Sequence, residues 1–256
     1  MANEMSGTDR LRSILAAAAT LGVLAINWLA ASGRVNDVTP AEISAKYSSI
    51  LTPAGYAFSI WTLIYAGLIA FSVLQLLPRF NERMRSIRSA YITTCALNCA
   101  WIYFWHSEQI AVCAVLIVAL ALVLFVICRQ LRDVSDRAEY WLAKAPFGLY
   151  FGWITTAAIV NVSLLPAYFG TNIPETTTSV IGAVLILAAA ALGVLVRMRL
   201  INYVYPLAIA WALTAIAVRQ SGHTLVVAAA AVGVIACLIA ALSFVINLPS
   251  SGDLAA

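Results

Sequence analysis

Trp61 and Tyr65 stand one helical turn apart in the stretch SIWTLIYAG, residues 59–67. With Phe58 they form an i, i+3, i+7 series, so on a helix all three share a face. Asn98, Trp101 and Trp105 repeat the arrangement, and Tyr150, Trp153 and Asn161 align because eleven residues make almost three whole turns. Asn27 sits beside Trp28. Indole and phenol rings offer flat apolar faces with one polar handle each, and an amide offers both donors and acceptors. Together they suit a cavity for a flat, largely apolar ligand with polar edges. A second use competes: Trp and Tyr girdle membrane interfaces, and Asn joins helices by hydrogen bonds. Trp105, Tyr140, Trp141 and Tyr168 read as such anchors, whereas Trp61, Trp101 and Trp153 lie deeper.

Other chemistries find no residues. No nucleophile–base pair or carboxylate pair falls within the apolar segments, so no catalytic residues and no enzyme activity are expected. Cys95, Cys99, Cys113, Cys128 and Cys237 include no CxxC, and His106 and His223 lie far from any acidic or thiol cluster. Neither a metal site, a cofactor nor a disulfide framework is expected.

The elements that hold the aromatic residues follow from composition. Of 256 residues 63% are hydrophobic and 10% charged, far from the balance of a soluble domain. Eight apolar runs of about 20 residues, at 13–33, 54–77, 89–106, 109–128, 145–168, 177–196, 200–218 and 224–248, match a hydrocarbon core of roughly 30 Å. No ten-residue alternating pattern recurs, which argues against a β-barrel. An all-α, multi-pass membrane protein of about eight transmembrane helices is expected. Arg10 and Arg12 before the first run resemble the start of a signal peptide, but that run exceeds the usual 7–15 residues and reads as a retained helix.

Lys and Arg divide twelve to three between the two sides of an eight-span topology. The richer side carries both termini, which are therefore expected in the cytoplasm of a bacterial inner membrane. Topology accounts for the net charge of +4, and no nucleic-acid partner is implied. Helices one, three and five then run outward, placing Asn27, Asn98 and Asn161 in the outer half, near Trp61 and Tyr65.

The aromatic residues concentrate in the first 170 positions, and the remainder is mostly Ala, Val, Leu and Ile after the loop GTNIPETTT. We read residues 1–170 as a five-helix unit and 171–256 as a three-helix extension. No Asp, Glu, Lys or Arg occupies the middle of a run, which argues against an ion-coupled carrier. Gly148 and Gly152, in GLYFG, form the one GxxxG inside a run. That strip lets another backbone approach closely, and packing within one chain is expected over a homodimer contact.

SIWTLIY, ALNCAW and the W-x7-N spacing of Trp153 to Asn161 resemble the TspO/MBR family of tryptophan-rich sensory proteins and translocator proteins. The resemblance covers about residues 10–170, in order. Ser59 stands where the family has a proline two residues before the tryptophan, and Pro146 lies seven residues before Trp153 rather than four. The resemblance implies a five-helix membrane unit whose cavity takes porphyrins and other tetrapyrroles, or sterol-like ligands. It implies ligand contacts from Trp61 and Tyr65, Asn98 and Trp101, and Trp153 with Asn161, to which the face alignment adds Tyr150 and Asn27. The expectation is a membrane receptor or transport protein for a flat hydrophobic ligand. The alternatives are a facilitator or scaffold worked by the C-terminal helices and a tetrapyrrole-modifying membrane enzyme.

Overall fold

Hydrocarbon offers a backbone no hydrogen-bond partner but itself, so each apolar run must close its own helical ladder. The structure, a computed structural model, describes residues 7–77 and 80–246. Arg79, the side chain of Arg83 and positions 247–248 of the eighth run lie outside that description. In chain order the helices are α1 (Gly7–Ala31), α2 (Pro40–Lys46), α3 (Ile60–Leu74), α4 (Asn81–His106), α5 (Ile110–Gln130) and α6 (Arg137–Glu139). They continue with α7 (Ala145–Ser163), α8 (Leu165–Tyr168), α9 (Glu175–Leu200), α10 (Tyr205–Arg219) and α11 (Thr224–Ile246). A 3-10 turn, Gly55–Ser59, leads into α3, and a π turn, Tyr140–Lys144, leads into α7. No strand occurs among the described residues. The protein is an all-α membrane protein.

Among the described residues eight helices stand where the eight runs lie, and six helical segments are long and apolar enough to cross a bilayer. The other two depart for separate reasons. Helix α4 is long enough, but Asn98, His106 and its Thr, Tyr and Trp residues dilute its apolar part; it opens with the charged stretch NERMRSIR, expected from sequence to be loop. Arg88 in that stretch is fully buried, donating from Nε to Gln75 Oε1 at 2.8 Å and from Nη2 to Gln75 O at 2.7 Å. Helix α10 has only 15 residues, nine of them buried, so neighbouring helices rather than lipid cover it.

The helices pack in a continuous series: α1 on α4, α4 on α5, α5 on α7, α7 on α10, and α10 with α9 and α11. Helix α3 fills the space between α1 and α7. One contiguous apolar core runs from Ala16 on α1 to Cys237 on α11, across the position where the sequence suggests a five-helix unit ends. The α1–α3–α4 contact is knit by Thr20 Oγ1, which lies 2.6 Å from both Ser72 Oγ and the Tyr91 hydroxyl.

Helix α7 is the pivot. A Cβ added at Gly152 would run into the Tyr205 carbonyl oxygen, and one at Gly148 into the Asn202 side chain. The glycine strip therefore faces α10 and its approach within the same chain. Asn202 is held in place there, donating Nδ2 to Lys144 O at 2.7 Å while its Oδ1 accepts from the amides of Val204 and Tyr205. Gly152→Ala should lower stability by roughly 1–3 kcal/mol, the cost of overpacking against backbone that cannot rotate aside. Thermal unfolding in detergent should show the loss with the oligomeric mass unchanged. A variant that altered mass at wild-type stability would place the strip at a subunit contact.

Candidate functional site

The aromatic faces of α3, α4 and α7 meet at the end of the bundle where α1 ends and α3 begins. Trp61, Trp101, Trp105 and Trp153 line a cavity there, with Phe58, Asn98 and Asn161 between them. The rings pack on one another: Trp101 stacks on Trp105 at 4.9 Å between centroids, and Trp61 meets Trp153 edge-on at 6.4 Å. Phe58 meets Trp153 edge-on at 6.0 Å. Thr156 and Val160 on α7, Ile117 and Leu120 on α5, and Ala212 and Ile216 on α10 complete the wall. Helix α10 was not expected at the site, because its cavity-facing residues carry no aromatic or polar signature.

Buried amides fix the polar edge. Trp101 Nε1 donates to Asn161 Oδ1 at 3.2 Å, and Asn161 Nδ2 donates to Ala157 O at 2.9 Å. Asn27 Nδ2 donates to Asn98 Oδ1 at 2.6 Å and to Val23 O at 2.9 Å. An Asn in an apolar bundle needs such partners, and Asn98 also has a side-chain hydrogen bond with Tyr150.

Of the eight residues expected at the site, Trp61, Asn98, Trp101, Trp153 and Asn161 line the cavity. Tyr65, Tyr150 and Asn27 stand one layer behind. Tyr65 stacks on Trp61 at 5.3 Å, Tyr150 meets it edge-on at 5.7 Å, and Asn27 orients Asn98. These three position the lining. Trp105 corrects the expectation of an interface anchor: it is 2% exposed and faces the cavity, with Nε1 donating to Pro40 O at 3.1 Å. Its nearness to the end of the run suggested lipid headgroups, but α2 covers that end. Trp141, at 59% exposure, does lie on the outside as an anchor should.

Helix α2 belongs to a lid that the hydropathy pattern concealed. Thr39 caps it in a reciprocal box: the Glu42 amide donates to Thr39 Oγ1 at 3.3 Å, and the Thr39 amide donates to Glu42 Oε2 at 2.7 Å. The T-P-A-E signature at 39–42 could have shown it. Ser44 and Pro53 of the lid face the cavity.

Two sets of contacts hold the lid. On the α4–α5 side, Glu108 accepts from Lys46 Nζ at 2.6 Å and from the Tyr47 hydroxyl at 2.5 Å. His106 Nε2 lies 3.2 Å from Val38 O, and Asn36 Nδ2 donates to His106 O at 2.9 Å. On the α10 side, the Ala54 amide donates to Ala215 O at 2.9 Å and Trp211 Nε1 to Ala57 O at 3.0 Å. Gln220 Nε2 donates to Ser49 O at 3.0 Å. The first set is polar, with its Lys46–Glu108 pair facing solvent and His106 buried; the second is mostly backbone carbonyls reached from α10.

Beneath the closed lid the free space is only about 40 Å³. That holds little more than water, against roughly 300–1,000 Å³ for drug-sized ligands. Any flat organic ligand must part the rings and move the lid.

Compared with known proteins, residues 13–244 match a family model described as TSPO-like protein. The match runs through α9, α10 and α11 as well as the aromatic half. Searches of curated proteins and of solved structures return no match.

The lid latch has a definite pH window. Hydrogen bonds from Lys46 and then Tyr47 hold the Glu108 carboxyl below its ordinary 4.5. The Tyr47 phenol is pushed up from 10.0 to about 12, first by its bond to Glu108 and then by burial. A depressed carboxyl stabilises the fold above its unfolded value and loses that contribution as pH falls through the folded value. A raised phenol contributes fully below its unfolded value and loses it as pH rises through the folded one. The latch should therefore be complete from about pH 5 to 10 and weaken on either side. Amide-exchange protection factors in α2 should fall in the wild type as pH drops below the ordinary carboxyl value of 4.5. Glu108→Gln should start lower and show a smaller acid limb, the remainder belonging to the Glu42 carboxyl that Thr39 also holds below its ordinary value; an identical limb in both would assign all of it to Glu42.

Proposed function

The chain belongs to the TSPO-like family of membrane proteins, and on that premise we propose that it is a receptor or transport protein for a flat hydrophobic ligand, of the size and chemistry of a porphyrin or another tetrapyrrole. The observation that carries this reading is the convergence of Trp61, Trp101, Trp105 and Trp153 with Asn98 and Asn161 around one lidded cavity. Indole faces contribute stacking area, and the two amides can orient polar substituents at the ligand's edge. A sterol-like ligand would use the same walls but offer the amides a single hydroxyl.

The cavity's chemistry suits binding and release rather than reaction. No group of three or more His, Cys, Asp or Glu that could hold a metal occurs among the described residues. The cavity lining holds no acid, base or cysteine thiol, only the Ser44 and Thr156 hydroxyls and the two amides. Helices α9–α11 serve in this reading as a buttress, with α10 closing the wall and gripping the lid. They are not a separate working part.

Titrating the purified protein with protoporphyrin should quench its tryptophan fluorescence saturably. Trp61→Ala and Trp153→Ala should each weaken binding by roughly 1–2 kcal/mol, about fivefold to thirtyfold, the scale of lost aromatic contact. Trp141→Ala should leave affinity unchanged. Equal losses in all three, or no saturable quenching, would overturn the reading.

The orientation we propose places both termini in the cytoplasm of a bacterial inner membrane. It rests on the distribution of Lys and Arg along the chain. Cysteines introduced at the exposed positions Ser86 and Ser135 should then react only with reagent supplied from the cytoplasmic side, and one at Thr171 only from outside. Reaction of Ser135→Cys from outside would refute this topology.

A further inference from the structure

The lid has two faces, and the second one roofs nothing. Behind it lies an open groove of about 690 Å³ between the lid segment 48–51, the end of α7, the start of α9 and the end of α10. Ile50, Val162, Ile181 and Leu185 line it with apolar side chains. Asn172, Thr178, Glu175, Arg219 and His223 supply its polar lining, and on α9 the polar pair Glu175 and Thr178 precedes the apolar pair Ile181 and Leu185 along the helix. Helix α9 comes so near the lid that a Cβ at Gly182 would lie 2.7 Å from Ile50 Cγ2, so the groove has firm walls.

The groove carries one carboxylate, Glu175, and one permanent cation, Arg219. Glu175 is turned to His223, with Oε1 at 3.5 Å from Nδ1. Arg219 has no ion pair among the described residues. Only three basic residues fall on this end of the proposed topology, where Lys and Arg are scarce. The other two are engaged: Arg34 lies 4.6 Å over the Trp28 ring, and Lys46 is paired with Glu108. Arg219 is the third, and it stands on the groove.

We infer that this groove is a second binding site, for a membrane-borne single-chain amphiphile with a carboxylate head. The chain lies along Ile50, Val162, Ile181 and Leu185, and the head meets Arg219, whose planar donors match a carboxylate. The site does not rest on what the aromatic cavity binds. Segment 48–53 is nevertheless common to both, with Ser48 to Leu51 in the groove and Pro53 in the cavity. Gln220 touches both the groove and that segment, so an occupant of the groove lies against the bonds that keep the lid down.

Protein in lipid nanodiscs, titrated with dansyl-labelled undecanoate and followed by energy transfer from tryptophan, tests this against protein-free discs. Arg219→Gln should raise the Kd of the acid roughly fivefold to tenfold, as loss of a charge-assisted contact implies. Arg219→Lys should fall between wild type and Arg219→Gln, because the charge persists but the planar donor fork is lost. The methyl ester should bind weakly and identically to all three proteins, and Trp61→Ala should leave the acid's affinity unchanged. Dansylglycine, which has the head without the chain, should not saturate. The inference is overturned if Arg219→Gln binds the acid like wild type, if ester and acid bind equally, or if dansylglycine binds as tightly. It is overturned too if the trimethylammonium analogue binds best, or if Trp61→Ala loses the acid, which would put the probe in the cavity.

Discussion

The close approach of α7 to α10 at Gly148 and Gly152 is the contact on which the arrangement depends. Without side chains at these two positions, α7 can sit against the Tyr205 carbonyl and the Asn202 side chain. Its opposite side is then free to carry Tyr150 and Trp153 towards α3. Inside a bilayer no hydrophobic force draws helices together, so shape and hydrogen bonds decide which contacts form. Here shape seats α7 on α10, and Asn202 and the Tyr205 hydroxyl, 2.9 Å from Thr155 Oγ1, fix its height. Trp153 and Asn161 inherit their positions from that seat.

The same helix pair ties the lid to the C-terminal helices. The lid's carbonyls at Ser49 and Ala57 and its amide at Ala54 are all satisfied by α10 or the residue that follows it. Backbone groups near hydrocarbon are costly to leave unpaired, so these bonds resist opening more than the solvent-facing Glu108 contacts do. The lid should hinge on its α10 edge and lift first at α2. This gives α10 a role that its plain Ala and Leu sequence does not announce.

That contrast marks what the sequence could and could not disclose. The eight helices were legible because a run of about 20 apolar residues has one stable use in a membrane. Five lining residues were legible because aromatic and amide residues repeat at helical spacing on three helices. Trp105 lies near the end of its run, where an anchor and a lidded cavity residue look alike, because a covering segment outside the run leaves no mark in hydropathy. The buried Arg88 was hidden for a related reason: a charge at the end of a span looks solvated until a partner such as Gln75, on another helix, is placed beside it. Ala212 and Ile216 carry no signal at all, since an apolar cavity wall and an apolar lipid face use the same residues.

A closed cavity of about 40 Å³ also constrains how binding can work. The ring contacts that fill it, Trp61 with Trp153, Trp101 with Trp105 and Phe58 with Trp153, are contacts a ligand must replace. Each is worth about 0.5–1.5 kcal/mol beyond its buried area. A large flat ring can replace several of them at once by stacking between indoles, whereas a narrow chain can replace few. On the proposed reading the closed state would act as a filter on shape, lowering the apparent affinity of every ligand by the cost of opening. Only a ligand that restores the lost aromatic area recovers that cost. Selectivity for flat aromatic molecules would then arise from how well the empty site packs on itself, and not from any single polar contact.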